Sequence, residues 1–215
     1  MNWLTHVETD AEVFQISAGF GKENIATDAS HLIFVDKNQF KGCLDSEQLK
    51  EHSKDWSPEE IQNELDFFYG QSTQTILDIF SLFVNHQANR LPIIDVDQNL
   101  LGVLPLKDLL DLIGEANFIS DAADTVIVRK ASQDFAYSEL IHLLESMNAK
   151  LLGSFISDNN TEYVEVYVKI KHRGLNEILQ SLRRFDYHII SKHKEDQYKN
   201  KLKERSAYLN KYLNI

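Results

Sequence analysis

Apolar and polar positions divide this chain into short strands and amphipathic helices, and one arrangement of them occurs twice. His31-Leu32-Ile33-Phe34-Val35-Asp36 predicts a strand; a short polar turn follows, and Gly42-Cys43-Leu44 predicts a second. Arg90-Leu91-Pro92-Ile93-Ile94-Asp95, the turn Val96-Asp97-Gln98-Asn99 and Leu100-Leu101-Gly102-Val103-Leu104 repeat that outline, offset by 59 residues before the turn and 60 after it. Each copy reads as strand, turn, strand and helix, with residues 106–113 as the closing helix of the second. Ile76, Ile79, Phe80, Phe83 and Val84 fall on one stripe of a 3.6-residue helix. Thr75, with Asp78 three positions on, has the form of a capping box at its start. The unit is therefore helix–strand–strand–helix, and only the leading element of the first copy, within residues 10–18, is indistinct.

Beyond Asp124 the pattern changes. Residues 125–130 predict a strand, 138–149 a helix with Leu140, Ile141, Leu144 and Met147 on one face, and 151–157 a second strand. Asp158-Asn159-Asn160 has hairpin-turn chemistry. Val164, Val166, Val168 and Ile170 then alternate with Glu165, Tyr167, Lys169 and Lys171, the period of a half-buried strand. A helix carrying Leu175, Ile178, Leu179, Leu182 and Phe185 on one face follows, and a last strand lies around 188–191. The order β-α-β-β-α-β is that of a ferredoxin-like half-sandwich.

Leu91-Pro92-Ile93-Ile94-Asp95, with Leu101-Gly102-Val103-Leu104 and Asp108-Leu109-Leu110, resembles a CBS module, a family that usually occurs as pseudo-symmetric tandem pairs. The later segment resembles an ACT-like domain. Residues 139–150 and 208–215 resemble bacterial CBS–ACT proteins of the acetoin-utilisation type. The expected fold class is α+β. A tandem CBS pair of βαββα-type units would occupy residues 1–121 (about 1–60 and 61–121). A ferredoxin-like βαββαβ ACT-like domain would occupy 122–192, and a basic C-terminal helix 193–215. The resemblance implies a non-catalytic regulatory or sensor protein, a homodimer acting on an unidentified regulated protein.

Length and charge narrow the classes further. At 215 residues the chain has room for one large or two small domains. No apolar run reaches the ~20 residues of a membrane span, and the first ten residues lack the basic and apolar regions of a signal peptide. A single cysteine, Cys43, builds neither a disulfide framework nor a zinc site, which makes the cytoplasm the expected compartment. It reads as a small buried hydrophobe. A net charge of −11 argues against general nucleic-acid binding. From Lys192 onward seven Lys/Arg face three Asp/Glu, a net of +4 against −15 for the rest. Tyr198, Leu202, Arg205, Leu209 and Tyr212 form a heptad-like seam there, suited to closing a dimer or lying on the acidic body.

Candidate chemistry centres on the strand-to-helix junctions. In nucleotide-binding CBS modules the pattern Gly-x-x-Ser/Thr-x-x-Asp sets a carboxylate in the first helical turn to accept ribose hydroxyls, while a hydroxyl and free N–H groups face phosphate. The second copy has Gly102, Pro105 and Asp108, so the ribose half survives and the phosphate half is weakened. By this resemblance Asp108 would hold ribose, Arg90 would meet phosphate, and the backbone around Leu91 and Ile93 would line the base slot. Thr75 completes the candidate set. The regulatory ligand would be ATP, ADP, AMP or S-adenosylmethionine. The plainer readings are a first-turn carboxylate favoured by the helix dipole and an arginine paired with a surface carboxylate.

The first copy has Asp45 and Gln48 at the equivalent places, and an anionic Asp45 would repel a phosphate. The loop 130–137 has no glycine, which argues against amino-acid sensing by the ACT-like part and for structural pairing. Gly19-Phe20-Gly21-Lys22 reads as a turn, and His188 and His193 as edge or surface residues. Neither a nucleophile nor a paired acid and base nor a metal-ligand grouping stands out, so no catalytic or metal site is expected. A ligand-free dimeric interaction scaffold and an amino-acid-sensing ACT protein are the competing functions.

Overall fold

The computed structural model describes residues 2–18, 28–51 and 56–193, and the chain divides into two compact units, Met1–Glu115 and Ala116–Ile215. The first unit opens with a 3-10 turn at Trp3–His6. Its strands are β1 (Phe14–Gln15), β2 (His31–Asp36) and β3 (Gln39–Asp45), followed by helices α1 (Ser46–Glu51) and α2 (Pro58–Glu64). Then come β4 (Gly70–Gln71), α3 (Ile76–Asn85), β5 (Arg90–Ile94), β6 (Leu100–Pro105) and α4 (Leu106–Gly114). Two three-stranded sheets result, β1-β2-β3 and β4-β5-β6, each a parallel outer strand beside an antiparallel hairpin. Even the bulges correspond, between Phe34 and Val35 in one and Ile93 and Ile94 in the other.

The copies exchange strands at matching points. Glu8, ahead of the first copy, pairs with Val103 of the second, while Asp66, ahead of the second, pairs with Cys43 of the first. At the hairpin tips Phe40 N donates to Gln98 O (3.0 Å) and Leu100 N to Asn38 O (2.9 Å). These crossings explain Gly42 and Gly102. Their φ values are +148° and +156°, and a Cβ on either would meet the crossing segment: Leu65 Cβ at 2.8 Å in one, Glu8 O at 2.5 Å in the other.

Strand β2 is buried on both faces, which accounts for its unbroken apolar run. Leu32 and Phe34 pack with Leu44, Leu49, Trp56 and Ile61, whereas Ile33 joins Cys43, Ile79, Phe83, Leu91, Ile93 and Leu109 in the larger core. Helix α3 starts in the expected capping box, with Thr75 and Asp78 exchanging hydrogen bonds. The predicted stripe departs at its end: Ile79 and Phe83 are buried, but Val84 is 58% exposed beside Leu77 at 69%, because the core covers a narrower arc than the apolar positions do. Helix α2 was not expected from the pattern, although Ser57-Pro58-Glu59-Glu60 forms a complete capping box with proline in the first turn.

The second unit comprises α5 (Asn117–Ser120), β7 (Asp124–Ala131), α6 (Tyr137–Ser146), β8 (Lys150–Asn159), β9 (Tyr163–Lys171), α7 (Leu175–Arg184) and β10 (His188–Ile189). Its antiparallel sheet has the order β10-β7-β9-β8. Val126, Val128, Val166, Val168 and Ile170 on one face pack with Leu140, Leu144, Ile178, Leu179 and Leu182. Helix α5 precedes the expected boundary at 121/122 yet is held here: Phe118 lies against Gly153, and Lys169 Nζ donates to Ile119 O at 2.7 Å. The turn after β8 shifts by two residues, since Asn160 Oδ1 accepts the amides of Glu162 and Tyr163. His188 is exposed at the edge, but His193 is buried, its Nε2 2.6 Å from Ser191 Oγ, which corrects its expected surface place. Gly19–Lys22 and the seam from Tyr198 to Tyr212 lie outside the described residues.

Candidate ligand-binding site

The ladder puts Arg90 directly opposite Pro105, the residue that precedes α4, so Arg90 and Asp108 share one end of the β5–β6 hairpin. Asp108 is half-buried in the first turn of α4. Arg90 Nη2 lies 3.4 Å from Asp28 Oδ1, a loose pair because the Asp28 side chain is 90% exposed. Leu91 and Ile93 are wholly buried with their methyl groups over Gly70, which leaves only their main chain for any ligand. Thr75 is elsewhere. Gln71 of β4 sits beside Ile94, the far end of β5, and the Thr75 hydroxyl lies 2.6 Å from Asp78 Oδ2 within the cap of α3. The fold thus gathers Arg90 and Asp108 and leaves Thr75 apart.

The corresponding end of the first copy holds a cavity of about 430 Å³. Ser30 and His31 supply it from the start of β2, Asp45, Ser46 and Glu47 from the β3–α1 junction, Asp66 from the crossing segment, and Asn85, His86 and Gln87 from the end of α3. His31 is only 8% exposed. Its ring meets Phe68 edge-on at 5.2 Å, and His86 stacks on the same phenyl at 4.1 Å. His86 Nδ1 lies 3.2 Å from Asp66 Oδ2. Burial lowers the His31 pKa, opposed by the charges of Asp45 and Asp66. Asp45 Oδ1 accepts the Glu47 amide at 2.7 Å, so this carboxylate tethers the start of α1.

His31, Asp66 and Asn85–Gln87 were missed in the sequence because they are far apart in it and form no recognisable spacing. A signal existed for one of them: His31 occupies the repeat position of Arg90. A larger cavity of about 660 Å³ lies in the second unit against Met147, Asn148, Arg173, Gly174 and Glu177, away from every candidate residue. Among the described residues no group of three His, Cys, Asp or Glu side chains is placed to hold a metal ion. No helix among them is long and apolar enough to cross a membrane.

With this geometry in view, comparison with known proteins identifies part of the chain. Residues 66–115 match the CBS domain family. No curated protein matches the chain. Similar solved structures include a CBS domain pair/ACT domain protein from Thermotoga maritima (25% identity, TM-score 0.46, covering 54% of this chain and 98% of that one). The CBS domains of a transcriptional regulator from Streptococcus pneumoniae are also similar (11%, 0.43, 52% and 98%), as is CBSX2 in complex with AMP (13%, 0.41, 52% and 95%).

Proposed function

We propose that this protein is a non-catalytic regulatory protein in which both halves of the first unit are CBS modules that together bind an adenosine-containing ligand. The second unit is then an ACT-like domain of ferredoxin-like arrangement, a reading supported by its β-α-β-β-α-β order and the strand order β10-β7-β9-β8. One observation carries the functional reading: Arg90 and Asp108 lie at one end of the second hairpin, a cation and a helix-first-turn carboxylate within a segment that matches the CBS domain family. Asp108 accepts the ribose hydroxyls, Arg90 leaves its loose contact with Asp28 to meet phosphate, and the cytoplasm supplies the nucleotide.

The test is a calorimetric titration of the full chain with AMP, ADP, ATP and S-adenosylmethionine. A ligand at a hundredfold excess over its Kd stabilises the fold by about 2.7 kcal/mol, and Asp108→Asn weakens binding by about tenfold. A chain indifferent to all four ligands, or an Asp108→Asn variant that binds as tightly as the original, overturns the reading.

A dimeric assembly is favoured by a separate observation. Leu77 and Val84 of α3 and Leu110 of α4 are 69%, 58% and 49% exposed, an apolar surface suited to a second copy of the chain. Light scattering is expected to give twice the monomer mass, falling to the monomer in Leu77→Glu/Val84→Glu. A monomer before mutation removes the proposal.

A further inference from the structure

The two matching ends of the first unit differ in charge. Where the second copy mixes Arg90 and Lys107 with Pro105 and Asp108, the first has His31, Asp45, Glu47 and Gln48 and so carries no full cation. The cavity at the first end adds Asp66 and holds neither lysine nor arginine among its lining residues. Helix α3 also ends there. Gln87, with φ +50°, closes it in a Schellman arrangement in which the Ala88 and Gln87 amides donate to the Phe83 and Val84 carbonyls. That closure leaves the carbonyls of Asn85 and His86, two lining residues, at the negative pole of the helix.

His31 supplies an independent observation. Asn89 Nδ2 donates to Asp28 O (2.8 Å), so Asn89 Oδ1 faces Ser30, where it accepts the Ser30 amide (2.9 Å) and the hydroxyl proton (3.1 Å). With that proton committed, Ser30 Oγ accepts from His31 Nδ1–H across 3.0 Å. The other ring nitrogen, Nε2, is a bare lone pair with no partner among the described residues, on a side chain more than nine-tenths buried in the cavity wall. Burial keeps the ring neutral at pH 7 by lowering its pKa from 6.5. An acceptor of this kind, set among three carboxylates and two helix-end carbonyls, is built for N–H donors on a positively charged group.

We propose that this cavity binds an organic cation of about nucleoside size, so that the first unit reads a cationic ligand at one end and a phosphorylated one at the other. The proposal rests on the first unit being a ligand-binding pair, and extends it to the copy whose acidic junction disfavours phosphate. The ~430 Å³ volume suits a small-molecule pocket, and the absence of a metal-ligand grouping among the described residues turns the choice from a bare metal ion to an organic cation.

Isothermal titration of the full chain with a charge series on one scaffold reads the sign directly: 5′-amino-5′-deoxyadenosine (cation), adenosine (neutral) and AMP (anion). The amine is expected to bind about tenfold more tightly than adenosine, and Asp45→Asn/Asp66→Asn to abolish that preference. Asparagine keeps the α1 tether, and retained AMP binding by the double variant shows that it folds. An amine no tighter than adenosine, or a preference that survives the double substitution, overturns the inference. If AMP still binds and Asp108→Asn still weakens it, the earlier reading stands while this one falls. If none of the three binds, both fall.

Discussion

Ser30 and Asn89 hold each other across the seam of the first unit: each donates its backbone N–H to the other's side chain, at 2.9 Å in both directions. Their carbonyls then perform matching tasks, Ser30 O accepting the first amide of α1 from Ser46 and Asn89 O that of α4 from Leu106, both at 2.9 Å. Four bonds thus join two strands, two helix starts and both copies. Ser30→Ala and Asn89→Ala are each expected to cost about 1–2 kcal/mol. Their effects should be non-additive by about 1 kcal/mol in a urea-unfolding double-mutant cycle. Additivity would show that the pair does not act as a unit.

The crossing glycines give a sharper contrast. Gly102→Ala is expected to cost about 2 kcal/mol or more, because its φ is +156° and the new Cβ would lie against the Glu8 carbonyl. Gly114, the last residue of α4, has nothing within 4 Å of its would-be Cβ, and Gly114→Ala should stabilise by about 0.5–1 kcal/mol. Thermal melts of the two variants should move in opposite directions.

Acid should weaken the first unit through His31. Its pKa in the fold lies below 6.5, chiefly through burial, with Asp45 and Asp66 acting against that and His86 with it. Between the lowered value and 6.5 the unfolded chain binds more protons, so stability falls as pH drops through that window. The loss of stability between pH 7.5 and 5.5 in the original chain should be smaller in His31→Gln. Equal losses would show that this imidazole does not titrate on unfolding.

In the second unit the buried Lys130 ammonium lies 2.6 Å from Glu139 Oε2 and 4.6 Å from the centre of the Tyr187 ring, and Tyr187 Oη donates to the same carboxylate at 3.0 Å. Glu139→Ala strands an ammonium and a phenol together and should cost about 1–3 kcal/mol. Lys130→Met keeps the packing and removes the buried charge, so it should cost less. The Lys130 hydrogen bond holds the Glu139 carboxyl below its ordinary 4.5. Its stabilisation is therefore present above that value and lost as pH falls through the depressed one.

Local interactions wrote the legible part of this protein into its sequence. The copies at 31–45 and 90–105, the Thr75 cap, the alternation of Val164 to Ile170 and the order of elements in the second unit follow from periodicity and capping, each set by residues within a few positions. Even the overlooked α2 had its start signal in Ser57 and Glu60. The strand exchange at Glu8 and Asp66 was not legible, nor the exposure of Val84, nor the place of Thr75 apart from Arg90 and Asp108. Least of all could the chain order foretell a cavity joining His31 to Asp66 and His86. Periodicity reports which face of an element is apolar, whereas a binding site depends on which ends of distant elements converge and which charges they bring. Only the paired tertiary fold, closing two similar hairpins around one seam, gathered Arg90 with Asp108 at one end and Asp45, Glu47 and Asp66 at the other.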